Sequence, residues 1–252
     1  MKHEVIHSLV GEACADFTVL FCLVTHEEYL FAAWYDPRHR ITVWCRPPSS
    51  EAWTTLQPEG FWIAKRNRNA NITDYDSHNY LTMAIDDEGL IHLSGNMHAD
   101  PLIYYRSAKP LDIASLRPVR SMVGEREERT TYPLFFKYEK GLLLFRYRYR
   151  DGCSGNGDDI YNCWDSKTQT WRRLLDTPLL NGEGERNGYA RPPVPGPDGY
   201  WHMIWMWRET PDCETNNNLS YARSQDLLHW ETSSGETLDL APPSPYSFCI
   251  LS

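Results

Sequence analysis

The sequence predicts an all-β protein built as a β-propeller. Three observations carry that expectation. Helical periodicity is almost absent from the 252 residues. A strand, a short turn, a second strand and a polar loop recur four times. The turns fall roughly fifty residues apart, which is a blade-like period. Each of the last three hairpins is followed by an outer strand with a similar ending, in "LIYYRSAKP", "DIYNCWDSKTQTW" and "LSYARSQDLLHW". A sandwich or a solenoid needs no such ending, whereas a propeller repeats four-stranded sheets this way.

The elements follow in order. "DFTVLFCLV" reads as an N-terminal strand. "YLFAAWYDPRHRITVWCRPPSSEAW" is the first unit, turning at Asp36-Pro37. "YLTMAIDDEGLIHLSGNMHADPLIYYRS" is the second, turning at Glu88-Gly89. The third starts at "YPLFFKYEKGLLLFRYRYR" and turns at Lys140-Gly141. The fourth, from "GYARPPVPGPDGYWHMIWMWR", turns at Asp198-Gly199. Turn residues between alternating apolar runs are hairpin signals. The outer strands resemble degenerate Asp-box strands of sialidase-type blades, without the box glycine. Four units and one extra strand predict four to five blades in a single domain over 1–252, with an irregular tail at 241–252.

Composition fits that reading. At 41% hydrophobic and 13% aromatic, the chain can bury a sizeable core. Ten Trp and fifteen Tyr favour strands and ligand platforms. A net charge of -9 argues against a general nucleic-acid binder, while a local basic cleft can still take an anionic substrate. The seven cysteines at 14, 22, 45, 153, 163, 213 and 249 are scattered, with no C-x-x-C. A zinc ribbon or dense disulfide framework is therefore not expected, though an exported chain has room for one or two disulfides. Glu12 and Asp16 interrupt the first apolar run, so neither a signal peptide nor a membrane span is read there.

Hairpin symmetry brings chemistry together. Antiparallel strands pair residues symmetrically about the turn. Folding about Glu88-Gly89 sets His78 opposite residue 99, so His78 and His98 meet at the open end. Folding about Lys140-Gly141 sets Tyr132 opposite residue 149, next to Arg148. Folding about Asp198-Gly199 sets Tyr189 opposite Arg208. Equivalent ends of successive blades converge on one mouth of the channel. A lone histidine is more often structural; the pair at this spacing favours function. Zinc is the competing use of two histidines, with Asp76 or Asp100 as the third ligand. In "RYRYR", residues 146–150, three arginines share one strand face. They repel unless an anion faces them, and a solvated face explains them about as well. "SGNG", residues 154–157, reads as a turn and does not fit a phosphate-binding loop.

"DSHNYL", "GNMH", "TYPLF", "YRDGCSGNG" and "NNNLSYARSQDLLHW" resemble the BNR-4 type propellers, in the family's order, from about Trp34 to Trp230. That family includes the ulvan lyases and related rhamnose–glucuronate lyases. The resemblance implies a seven-bladed propeller that cleaves a uronate-containing polysaccharide by β-elimination, in a secreted or periplasmic setting. This chain is too short for seven blades, which puts its own activity in question. Carried over by motif, the family histidines fall on His78 and His98 and the tyrosine on Tyr132. The family arginine falls on Arg150 by its place before Ser-Gly-Asn-Gly, and on Arg148 by its distance from Tyr-Pro. Hairpin symmetry favours Arg148, leaving Arg150 as a binder.

The chemistry suits these residue types. Arg148, with Asn79, would neutralise the uronate carboxylate. His78 or His98 would take the C5 proton, and Tyr132 would protonate the leaving oxygen, or serve as base if a nearby Arg lowered its pKa. Tyr189, Arg208 and Arg150 would bind substrate. No cofactor is required. A structural metal stays open: His202 and Cys213 are candidate ligands, though a core histidine and a free thiol are the simpler reading. The expected partner is an acidic polysaccharide, with no nucleic acid or membrane, and the chain is expected to be monomeric. Two other readings are a propeller glycoside hydrolase using Asp74, Asp76 or Glu209, and a non-catalytic carbohydrate-binding propeller or truncated relic.

Overall fold

The structure is a computed structural model that describes residues 9–15, 19, 21–138, 141–150 and 157–240. Expectations for Lys140, Cys153, residues 154–156 of the "SGNG" loop, Cys249 and the tail 241–252 lie outside the described residues. So do residues 1–8 and parts of the N-terminal run (16–18 and 20).

One turn geometry recurs. The backbone N–H of Asp36, Asp86, Tyr138 and Gly196 each donates to the carbonyl four residues on, at Arg40, Leu90, Leu142 and Tyr200. The carbonyls of the same four donors, Asp36, Asp86, Tyr138 and Gly196, accept from the N–H three residues on, at His39, Gly89, Gly141 and Gly199. Those four residues have φ of 63°, 81°, 82° and 81°. That left-handed conformation suits glycine and explains the glycines that marked the turns in sequence.

Around these turns the chain builds four antiparallel blades among the described residues. The first holds β1 (Cys22–His26), β2 (Tyr29–Tyr35), β3 (Ile41–Arg46) and β4 (Thr54–Leu56). A two-stranded ribbon, β5 (Trp62–Ile63) and β6 (Arg68–Asn69), follows. The second blade holds β7 (Leu81–Ile85) and β8 (Ile91–Gly95). The chain then forms β9 (His98–Asp100) and returns to the second blade as β10 (Tyr104–Ser107) and β11 (Leu116–Pro118). The third is β12 (Thr130–Lys137), β13 (Leu143–Tyr149), β14 (Asp158–Asp165) and β15 (Thr170–Arg173), with β9 on its inner edge. The fourth is β16 (Asn187–Ala190), β17 (Val194–Pro195), β18 (Trp201–Arg208), β19 (Asn216–Ser224), β20 (Trp230–Glu231) and β21 (Thr237–Leu238). Among the described residues, short 3-10 turns lie between strands at Ala64–Arg66, Ile113–Ser115 and Cys213–Thr215. The expected fifth strand unit is absorbed: β1 pairs with β2, Cys22 opposite Ala33, as part of the first blade.

The blades stack through their faces. Phe31 and Val43 of the first, Met83 and Leu93 of the second, and Phe135 and Phe145 of the third share one apolar cluster. A second cluster joins Leu144 and Tyr161 to Trp201, Met203 and Trp205 of the fourth. Alternation along β18 is clean: Trp201, Met203 and Trp205 are buried, while Ile204 and Met206 are exposed. No disulfide joins two described cysteines, and Cys14, Cys22, Cys45 and Cys213 are free thiols. Among the described residues no helix is long and apolar enough to cross a membrane.

Asp86 ties the second blade to the third. Its buried carboxylate accepts from the turn amides of Glu88 and Leu90, at 3.0 and 2.7 Å, and from the indole N–H of Trp164 at 2.7 Å. Asp86→Ala strands those donors in the core and is expected to cost about 3 kcal/mol. Asp87, whose surface pair with Lys137 is 3.2 Å long, should lose under about 1 kcal/mol as Asp87→Ala. Urea unfolding checks both; similar small losses would show that the Asp86 acceptor is dispensable.

Candidate functional site

Local backbone positions the first histidine. Asp76 accepts from the backbone N–H of His78 at 2.9 Å, an Asx turn that closes the loop before β7. The second histidine is placed by a strand that changes sheets. Pairing of β7 with β8 ends at Leu81 opposite Gly95. Gly95 has φ of 153°, and a Cβ there would meet the Tyr80 carbonyl at 2.4 Å. Asn96 is left-handed, and the chain then crosses to β12, where His98 pairs with Thr131. Arg66 braces the crossing by donating to the His98 carbonyl and, at 2.7 Å, to buried Asp100.

The two imidazoles stack, with centroids 3.8 Å apart and planes 13° off parallel. Asp76 lies across both: Nδ1 of His78 and Nδ1 of His98 are each 2.6 Å from one of its oxygens. Burial alone would raise the Asp76 carboxyl, but the hydrogen bonds from the His78 amide and both imidazoles outweigh it and hold the group at about 2. Burial lowers the His78 imidazole below its ordinary value, and the charges of His98 and Arg148 act in the same direction against the pull of Asp76. The Asp76, His78 and His98 donor atoms all lie within 4.8 Å of one another, a spread an ion could use. Nitrogens and oxygens around one zinc, each about 2.0–2.2 Å from the metal, spread wider than a hydrogen bond. The 2.6 Å contacts are those of a carboxylate accepting from two rings.

Tyr132 stands beside the pair, its ring 5.3 Å from that of His78. It sits in a bulge: Thr131 pairs with Arg148, but the next pair is Leu134 with Arg146. Pro133 has no N–H for the ladder, and Tyr132 has a φ of 57°. Burial raises the Tyr132 phenol despite the opposing charge of Arg148, so it holds its proton. The sequence-based option of a lowered tyrosine pKa is thereby corrected.

Arg148 lies between two rings, its guanidinium carbon 4.7 Å from Tyr132 and 4.9 Å from Tyr189. The residue is 2% exposed, yet its Nε and Nη1 have no hydrogen-bond partner. Neighbouring Arg146 is matched by buried Asp159, to which its Nε donates. Burial works against the Arg146 charge, but the Asp159 field wins and raises its pKa. Tyr80, Tyr132, Arg146, Arg148, Tyr189 and Arg191 line one cleft of about 720 Å³. A negatively charged chain thus presents a basic, aromatic cleft.

Four expectations need correction. The three arginines of "RYRYR" do not share a face: Arg150 leaves the strand with a φ of 72° and lies 3.7 Å from Asp158. Asn79 does not present its amide to the cleft. It is buried, and its Nδ2 donates to Thr73 at 3.2 Å and Asp74 at 2.6 Å. Tyr189 pairs with Met206 rather than Arg208, because Pro192 and Pro193 interrupt the ladder between β16 and β17. Contact survives through side chains, since Arg208 donates to the Tyr189 hydroxyl at 3.1 Å and lies 4.2 Å from its ring. His202 is no core histidine; it is half-buried, bonded to Tyr221 and Asp198 at 2.7 and 2.9 Å. Sequence reasoning missed the double role of Asp76, although its place two residues before His78 is an Asx-turn signal. It also missed Asp159 as the partner of Arg146.

An antiparallel fold with these side chains defines a class: propellers that gather a stacked histidine pair, a half-buried tyrosine and an arginine with unpaired N–H groups. Within that class the chain belongs to the family described as BNR repeat-containing family member, whose pattern matches residues 29–247. No curated protein matches the chain. Among solved structures it is similar to the polysaccharide lyase Uly1, with a TM-score of 0.71 at 16% identity over 96% of this chain and 61% of that one. It is also similar to a PL25 ulvan lyase bound to -[GlcA(1-4)Rha3S]-, with a TM-score of 0.62 at 15% identity over 94% of this chain and 57% of that one. An α-L-arabinofuranosidase from Fusarium graminearum, in complex with an iminosugar inhibitor, follows at a TM-score of 0.52 and 10% identity, over 90% of this chain and 71% of that one. At these identities the likeness establishes the propeller fold. The chain spans 61% and 57% of the two lyases.

The two arginines should respond unequally in stability. Asp159→Asn leaves Arg146 buried without its counter-charge and should cost about 3–5 kcal/mol. Arg148→Met removes a guanidinium whose Nε and Nη1 bond nothing, so the melting temperature should fall far less than for Asp159→Asn. Thermal melts compare them; a drop for Arg148→Met as large as for Asp159→Asn would mean Arg148 is a structural brace.

Proposed function

We propose that the chain is a polysaccharide lyase that cleaves a uronate-containing, rhamnose–glucuronate type glycan by β-elimination. The observation that carries this reading is the buried Arg148, with unpartnered N–H groups, held between Tyr132 and Tyr189 beside a stacked histidine pair. A desolvated guanidinium without a partner is costly unless an anion completes it. Family membership and the lyase names of two structural relatives point to the same substrate class.

The residues divide the work as follows. Arg148 accepts the C5 carboxylate of the uronate through its free N–H groups and stabilises the enolate-like charge that develops there. One histidine, acting through Nε2, takes the C5 proton. The electron pair released from the C5–H bond forms the C4–C5 double bond and expels O4. Tyr132, whose phenol holds its proton, delivers it to the departing oxygen. Arg208 and Tyr189 would bind the neighbouring sugar.

The glycoside hydrolase reading is weakest at Asp76, the candidate carboxyl beside the histidine pair. That chemistry needs a carboxyl kept protonated near neutral pH. Asp76 is held at about 2 by its three hydrogen bonds. Asp74 already accepts from Asn79, and Glu209 from Asn217.

The test is ultraviolet absorbance of the unsaturated uronate over a panel of uronate polysaccharides. A hydrolase would release reducing ends without that absorbance, and a binding module would give neither. Arg148→Ala should lower turnover roughly a hundred- to a thousand-fold, the worth of one preorganised charge at a developing oxyanion. Arg148→Lys should recover only part, since a point charge cannot hold both carboxylate oxygens. Arg150→Ala should change the rate little. Equal, small effects of Arg148→Ala and Arg150→Ala would remove the neutraliser assignment.

The pH profile carries its own sign. The base must be neutral, and His78 is shifted down, so protonation sets in only at lower pH than for a free imidazole. If His78 is the base, kcat/KM should hold through neutrality and fall on the acid side with a midpoint below about 6.5. A midpoint above that value would exclude His78.

A further inference from the structure

The lyase reading leaves one geometric fact unused: a single carboxylate contacts the same nitrogen on both histidines. We propose that Asp76 is a positioning residue that fixes His78 and His98 together as Nδ1–H tautomers, leaving Nε2 as the free acceptor on each ring.

The reasoning is one of donor and acceptor inventory. An ionised carboxylate only accepts. Asp76 is held ionised, so each Nδ1 at 2.6 Å must carry the hydrogen. A neutral imidazole has one N–H, so each Nε2 is then bare. Neither Nε2 has a hydrogen-bond partner among the described residues, and both side chains are about a third exposed, at 30% and 32%. Stacking at 3.8 Å adds a second constraint, because two imidazolium rings so placed would repel. The pair therefore presents two bare nitrogens beside the Tyr132 phenol. A lone carboxylate–histidine contact would orient one ring; this arrangement orients two with one group.

Asp76 is also a structural residue, since its Oδ1 accepts the His78 amide. The test must therefore read something a structural role would not move. Nitrogen-15 spectra of the histidine-labelled full chain, recorded without substrate on the alkaline side of the imidazole titration, report the tautomer of each ring. His78→Gln and His98→Gln assign the signals. The wild-type protein should show both rings as Nδ1–H. An Nε2–H signal from either ring overturns the proposal, and that result needs no variant of Asp76 to fold.

Asp76→Asn sharpens the test. Its Oδ1 would keep the His78 amide and ring, turning its NH2 toward His98. That nitrogen can only donate, so His98 should switch to Nε2–H while His78 stays Nδ1–H. Both rings unchanged in Asp76→Asn would also overturn the proposal. A kinetic arm rests on the lyase reading. Asp76→Ala should lower kcat about a hundred-fold with little change in KM, the low end of what a general base contributes. A kcat within twofold of wild type, in a protein whose wild-type form is an active lyase, would count against the positioning role. The spectra are taken on the resting protein, so failure of the tautomer assignment and failure of the lyase reading are separately visible.

Discussion

The site depends on one strand that leaves its own blade. After β8 the chain does not continue its hairpin; it crosses to pair with β12 of the next blade. Gly95 permits the turn because any side chain there would strike the Tyr80 carbonyl. Asn96 then anchors the bend, its Nδ2 donating to the carbonyls of Ala70 and Ile72 at 2.8 and 2.9 Å. The crossing has two consequences at once. It stitches the second and third blades together by backbone hydrogen bonds, adding to the packing of His92 on Trp164 at 4.7 Å between ring centroids. It also carries His98 across the gap between blades, where it meets His78 from the loop before β7. A histidine kept in the plane of the second blade would face solvent or core, with no tyrosine from the third beside it.

The arginines follow from the same layering. β13 lies inside the third blade, between β12 and β14, so its inward side chains are enclosed whatever their charge. Arg146 meets Asp159, and Asp159 stands opposite Arg148 across the strand pair. Burial raises the Asp159 carboxyl, and the two guanidiniums pull it back toward the ionised form. Asp159 takes the Arg146 Nε–H on Oδ1, while its Oδ2 and the Nε and Nη1 of Arg148 stay without hydrogen bonds. Stacking against Tyr132 and Tyr189 offsets part of that cost, because a ring face attracts a cation without consuming its N–H groups. The donors remain available to a ligand.

Much of this was legible because turns are local. Glycines at 89, 141 and 199 mark the hairpins, and hairpin symmetry then says which residues meet at the open end. It brought His78 to His98 and Tyr132 to Arg148. The register of β7 and β8, Leu81 opposite Gly95, extrapolates to that histidine pair even though the ladder stops there. The same reasoning slipped at Tyr189 and Arg208, where two prolines break the ladder and shift the register. It slipped again at Arg150, where strand period was extended one residue past the strand. Asp159, and the reach of Asp76 to His98, were invisible for another reason. Their roles depend on contacts across loops and between strands that no local spacing encodes. Asn79 shows the converse: an amide beside a site in sequence can give its N–H groups to the loop that builds it.

Burial itself divides the two proposed proton-transfer roles. Removing a group from water disfavours its charged form. For imidazole the charged form is the acid, so burial lowers the pKa and keeps His78 ready to accept. For phenol the charged form is the base, so burial raises the pKa and keeps Tyr132 ready to donate. One environment thus pushes two neighbouring groups in opposite directions, which is how a pair becomes a base and an acid at one pH. Arg148 acts on both. Its charge lowers the histidine further, and it draws the tyrosine down only part of the way. In the proposed elimination the uronate carboxylate would offset that charge on binding. Both shifts due to the arginine would then shrink: His78 would become a stronger base and Tyr132 would hold its proton more firmly. Substrate binding would therefore favour removal of the C5 proton, while Tyr132 would keep its proton until the departing O4 had gained charge.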